Sequence, residues 1–168
     1  AKTREPLPFN AGGPTRAMED LGNQKILVGS AHIPYQTKPA TSGPHWAVRP
    51  DVEDLAPFGA PVKWGKYDKE IPDEALLHNL EHGGIGFHYD CESSCEELIE
   101  KLDNLRKKDD TQIVLSPYSG LDSKIAITSW RHVLYLDEFN EESINEFIQA
   151  YRDRAPQSWI GNYWGDAI

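Results

Sequence analysis

The sequence predicts a single-domain α+β fold, built on a mixed but mainly antiparallel sheet with packed helices and a long Pro-rich loop region. Three observations lead there. Short apolar, β-branched runs are interspersed with helical patterns over the second half of the chain, proline punctuates the first half, and 168 residues are enough for one core. The chain divides into an irregular N-terminal arm at 1–24, an α+β domain at 25–155 and an aromatic C-terminal tail at 156–168 docked on that domain.

Pro6, Pro8, Gly12, Gly13, Pro14 and Gly22 make the arm irregular, with room for one helical turn near Arg16 to Leu21. Lys25-Ile26-Leu27-Val28 reads as a strand closed by the Gly29-Ser30 turn. Prolines at 34, 39, 44, 50, 57, 61 and 72 then bar long regular elements, and loops of that length in a compact domain are usually functional. Pro72, Asp73 and Glu74 open a helix of roughly 72–82, which Gly83-Gly84 must end.

Ile85 to Tyr89 reads as a strand, Cys95 to about Lys107 as a helix, and Gln112 to Ser116 as a strand returned parallel to the first by the helical crossover. Lys124 to Trp130 and Val133 to Leu136 complete the sheet through hairpin-like antiparallel pairing, and Asn140 caps a last helix through Arg152. The tail Ser158-Trp159-Ile160-Gly161-Asn162-Tyr163-Trp164 is aromatic and leaves room for a homodimer.

Composition narrows the partners. With 27 acidic against 17 basic residues, a formal net charge of -10 repels a phosphate backbone, so nucleic acid is not an expected partner. No apolar run approaches the roughly 20 residues of a membrane helix. The sequence starts at Ala1 rather than Met, which suits removal of a targeting segment or anchor. Cys91 and Cys95 are the only cysteines; their spacing allows a disulfide, a pair of metal thiolates or two free thiols. A disulfide is the first choice, because Glu92, Glu96 and Glu97 would raise a thiol pKa and no second cysteine pair completes a zinc ribbon.

The most informative segment is His78-Asn79-Leu80-Glu81-His82. Four residues apart on a helix, His78 and His82 share one face while Leu76 and Leu80 point nearly opposite. Two such imidazoles can bind one transition-metal ion, and the negative end of the helix dipole beside His82 favours a cation. On an exposed face the same spacing arises by chance and need bind nothing. A tight site needs a third ligand, and His45 in Thr41-Ser42-Gly43-Pro44-His45-Trp46 is the best source, stiffened by Pro44 and anchored by Trp46. His32 and Met18 are candidates for a fourth ligand. Glu74 and Glu81 offer further ligands or acceptors that orient a ring N–H, whereas His88 and His132 fit ordinary strand positions.

The blocks Thr41 to His45, His78 to Gly84 and Ile125 to Trp130, in that order, resemble an uncharacterised bacterial family of unknown function (DUF3105-like), over about His32 to Arg152. Here Ala40 follows Pro39 where the family pattern commonly has a second proline, and Trp130-Arg131 lacks the family's usual glycine. The resemblance implies an extracytoplasmic setting, periplasmic, secreted or membrane-anchored, since members often carry a preceding anchor or export signal. Such a setting suits a disulfide. No activity comes with the resemblance, and an enzyme is the less expected outcome.

Three functions fit the residues. The first is an exported metal-binding protein, with His45, His78 and His82 as core ligands, copper preferred over zinc by the Irving–Williams order, and a storage, delivery or redox role that a protein partner for metal transfer would complement. The second is a zinc hydrolase, because His78-x-x-Glu81-His82 matches the inverted zincin pattern with Glu81 as general base. The third is a metal-free ligand-binding module using the loop from Pro34 to Pro61 and the aromatic residues Tyr35, Trp46, Phe58 and Trp64.

Overall fold

A computed structural model describes residues 15–48, 59–93, 95–109 and 112–158. Within them the elements run β1 (Thr15–Ala17), β2 (Lys25–Ile26), β3 (His45–Trp46), β4 (Gly65–Lys66), α1 (Asp73–Glu81), β5 (Ile85–Tyr89), α2 (Glu96–Asp109), β6 (Ile113–Pro117), β7 (Ile125–Ser129), β8 (His132–Leu136) and α3 (Glu141–Tyr151). Six strands form one sheet in the order β1-β8-β7-β5-β6-β4, and β2 and β3 form a separate parallel pair.

Pairing is mixed, as the connections require. The helical crossover makes β5 and β6 parallel, β4 joins β6 parallel, and β1, β8, β7 and β5 pair antiparallel in turn. Alternation along β5 sends Ile85, Phe87 and Tyr89 into the larger core, with Leu102 and Leu105 of α2 and Ile144, Phe147 and Ile148 of α3. On the other face lie two smaller clusters. One joins Ala75 and Leu76 of α1 to Val114, Ala60 and Val62; the other joins Leu77 and Leu80 of α1 to Trp130, Ala40 and Ala155. Helix α1 is thus wedged between the sheet and the loop region, and every residue from Ala75 to Glu81 is buried.

The regular second half follows the pattern read from the sequence, with α3 capped by the Asn140 side chain, which accepts from the Ser143 amide. The first half departs from it. Thr15–Ala17 is an edge strand on β8 rather than irregular arm or helical turn, because its backbone meets an open sheet edge. The strand predicted over Lys25 to Val28 stops at Ile26, leaving Leu27 81% and Val28 37% exposed, since β3 offers only two residues to pair. Strands β3 and β4 arise inside the region read as loop, each two residues long between prolines. Most of the proposed arm, Phe58 and nearly all of the aromatic tail lie outside the described residues.

Candidate metal centre

Helix α1 delivers the histidine motif to the interior and stops at once. Gly83 has φ +87°, its amide donates to the Leu80 carbonyl and that of Gly84 to the Asn79 carbonyl, closing a Schellman turn immediately after His82. The turn is fixed from outside as well: a Cβ on Gly84 would stand 2.5 Å from the Trp64 ring and 2.9 Å from the Asn79 carbonyl oxygen. Within the helix, the Asn79 amide clamps the loop, with its oxygen accepting from the Val62 amide and its nitrogen donating to the Val62 carbonyl.

His45, chosen from the proline-stiffened loop, comes close to the spaced pair His78 and His82. His45, His78 and His82 are all buried. The His78 and His82 rings stack with centroids 5.0 Å apart and a 12° interplanar angle, and the His45 ring lies 5.3 Å from that of His78. Donor atoms of His78, Glu81 and His82 all lie within 4.8 Å of one another, a set able to hold a metal ion. His45 joins that set through Glu81, its Nε2 standing 2.8 Å from Glu81 Oε2.

Each ring is oriented from behind by the main chain. His45 Nδ1 donates to the Gly43 carbonyl at 2.8 Å and His78 Nδ1 to the Trp46 carbonyl at 2.7 Å. His82 hydrogen-bonds to the Gln157 backbone. A carbonyl on one ring nitrogen fixes the tautomer and leaves the other nitrogen as an electron-pair donor, the usual outer support of a metal-binding histidine. Burial, with Lys25 nearby, pushes His78 down to about 3, and burial pushes His82 down to about 4, so both rings are neutral near pH 7.

Glu81 is the electrostatic centre. Burial alone would raise its pKa, but the close contacts with His45 and Lys25 outweigh that and bring it down to about 2. Its Oε2 pairs with the Lys25 ammonium and with His45, and its Oε1 accepts from the Asn23 side chain at 2.9 Å. A carboxylate so held is a weak proton acceptor, which counts against its use as a general base.

The remaining candidates sit elsewhere or in other roles. His32 Nε2 is 3.0 Å from Glu74 Oε1, its Nδ1 contacts the Ile33 carbonyl and its ring lies over Tyr35, so the motif's flanking carboxylate binds His32 from the helix side. Met18 is held by its backbone, donating to and accepting from Arg131. His88 contacts Ser116 and His132 stacks on Tyr151, both inside the body. Tyr35 donates to the Pro44 carbonyl and half-buried Trp46 and Trp64 pack against the Ala60-Val62 cluster, so these aromatic rings serve the scaffold. Cys91 and Cys95 form a disulfide in the turn between β5 and α2. Sequence reading missed Lys25 and Asn23; lying outside the motifs, they carry no spacing signal that ties them to residue 81.

Comparison with known proteins gives the family. The model described as "Protein of unknown function (DUF3105)" matches residues 28–160, and the chain belongs to that family. No curated protein and no solved structure matches the chain. No helix among the described residues is long and apolar enough to cross a membrane. The disulfide suggests an environment outside the reducing cytosol.

Proposed function

We propose that this DUF3105 chain is an extracytoplasmic metal-binding protein, with His45, His78 and His82 as imidazole ligands and Glu81 as an adjoining carboxylate, and with copper as the preferred ion. The observation that carries the reading is the convergence of three buried rings, each held by a backbone partner. A solvated helix face does not need such support. Neutral imidazoles also mean that an ion meets little proton competition above about pH 5, given values of about 3 and 4 for two of the rings.

The donor set suits copper or zinc in chemistry, and the Irving–Williams order favours copper where both are present. Donor atoms of His78, Glu81 and His82, within 4.8 Å of one another, lie somewhat wider than neighbouring ligands on one ion, so loading draws them inward. Holding and handing on the ion fits a site without a free general base better than hydrolysis does, because both Glu81 oxygens are already engaged. A redox role for copper in the same site is compatible with these ligands.

The test is titration of the metal-free chain with Cu²⁺ and with Zn²⁺, against His45→Ala, His78→Ala and His82→Ala. One ion per chain is expected, with affinity reduced at least ~100-fold in each variant, since loss of even an outer-shell partner costs roughly 10–100-fold. Equal affinity in all four proteins would overturn the reading. Peptide and ester hydrolysis by the zinc-loaded chain, abolished by Glu81→Gln, would favour the hydrolase reading instead.

A further inference from the structure

The ligand set already holds a cation, and the chain itself supplies it. Lys25 Nζ lies 2.8 Å from His45 Nε2 and pairs with Glu81 Oε2, and these two acceptors are themselves 2.8 Å apart. Two donors about 2.0–2.1 Å from a common ion, at 90–110°, stand roughly 2.8–3.4 Å from each other. The ammonium therefore engages two atoms whose separation suits neighbouring ligands on one ion. With its Nδ1 on the Gly43 carbonyl, the His45 ring presents Nε2 to Lys25, the same atom that a metal would use.

Lys25 is also placed to leave. Its side chain is 37% exposed whereas that of Glu81 is 0% exposed, so the ammonium bridges solvent and interior. A flexible four-carbon stem lets it swing outward without breaking the fold. The segment that carries it is short: β2 pairs with β3 over two residues, and exposed Asn23 reaches Glu81 Oε1 from the same stretch. Together Lys25 and Asn23 roof the carboxylate on its solvent side.

We infer that Lys25 is a tethered competitor for the metal: an entering ion takes over His45 Nε2 and Glu81 Oε2 and expels the ammonium to solvent, and the returning ammonium assists release. The inference rests on the metal-binding reading above. It gives the site a stable metal-free state, in which the buried Glu81 charge is neutralised, and lowers the net gain on loading. A protein that hands its ion on needs both properties.

Cu²⁺ and Zn²⁺ affinities, measured by competition with a chromophoric chelator at fixed pH and salt, test it in wild type, Lys25→Met, Lys25→Gln and Lys25→Arg. Removing the ammonium is expected to tighten binding at least tenfold with unchanged stoichiometry, while Lys25→Arg, which keeps the charge, stays within about threefold of wild type. In the unmutated chain, acylation of Lys25 followed by mass spectrometry is expected to speed up several-fold on metal loading, a readout that needs no variant to fold. If wild type binds one ion but Lys25→Met and Lys25→Gln bind no tighter, or if acylation of Lys25 is unchanged by loading, the lock is overturned and the metal site stands. Binding by no variant and not by wild type overturns both. Binding by Lys25→Met and not by wild type supports the lock in its strongest form.

Discussion

Glu81 and His45 lie 36 residues apart in the chain, yet Oε2 of one stands 2.8 Å from Nε2 of the other, with both side chains fully buried. That contact ties the motif helix to the proline-stiffened loop, and Lys25 and Asn23 add a third segment to the same carboxylate. Removing one member of a buried charged network leaves the others desolvated without compensation, which costs about 3–5 kcal/mol. Glu81→Ala is expected to lose that much in urea unfolding of the metal-free chain, and Glu81→Gln about half as much, since the amide oxygen still accepts. A loss below ~1 kcal/mol for Glu81→Ala would show that the network does not hold the loop to the helix.

Acid sensitivity follows from the buried rings. His78 and His82 have folded values of about 3 and 4, below the 6.5 of an unperturbed histidine, so the unfolded chain binds protons first. Their contribution is fully present above about pH 6.5 and is lost as pH falls through about 4 and then 3. Glu81, at about 2 against 4.5, adds a loss in the same direction below pH 4.5. Asp73 runs the other way, because burial raises it to about 6 and protonation between 6 and 3.8 favours the folded state. The two imidazoles, joined by buried His88 at about 4, outweigh the one carboxyl. The melting temperature of the metal-free chain is expected to hold from pH 8 to 7 and to fall steeply between 6 and 4. A flat profile down to pH 4.5 would contradict the burial of these rings.

The turn that ends α1 has little tolerance. Gly83 holds a φ of +87°, which a side chain resists, and a Cβ there would stand 2.8 Å from the Asp153 backbone. Gly83→Ala and Gly84→Ala are each expected to cost about 1–3 kcal/mol in thermal or urea unfolding. Because the displaced turn carries Glu81 and His82, metal affinity should fall with stability. An alanine at either position that leaves both unchanged would mean that the turn does not set the position of the site.

How far the sequence reveals this site depends on how local each relation is. The four-residue spacing of His78 and His82 follows from helix geometry, and the double glycine announces where the helix ends. His45 is identifiable as a rigid loop residue, although its pairing with Glu81 depends on the tertiary path of the loop. The burial of α1 on all sides is not readable from periodicity, because helix and sheet period say nothing about a loop region packed over the second face. Lys25 is the clearest omission: its strand is two residues long, and Leu27 and Val28, the apolar residues that suggest a longer one, lie exposed. His32 looks like a ligand by type, yet Glu74 engages it.

The disulfide and the histidine site lie at opposite ends of β5. Gly84, just before Ile85, closes the motif helix, whereas Cys91 follows Tyr89, so the strand alone separates them by roughly 13 Å at about 3.3 Å per residue. Its sequence separation of 4 closes a small loop, for which the chain-entropy relation gives about 2 kcal/mol. A Cys91→Ser, Cys95→Ser double variant is therefore expected to lose ~2 kcal/mol or less in urea and to bind Cu²⁺ within about twofold of wild type. The comparison uses serine rather than a thiol reductant, since reductants themselves ligate copper. Affinity reduced tenfold or more in a folded double variant would couple the two ends of the strand, and the cysteines would then belong to the metal chemistry rather than to the scaffold.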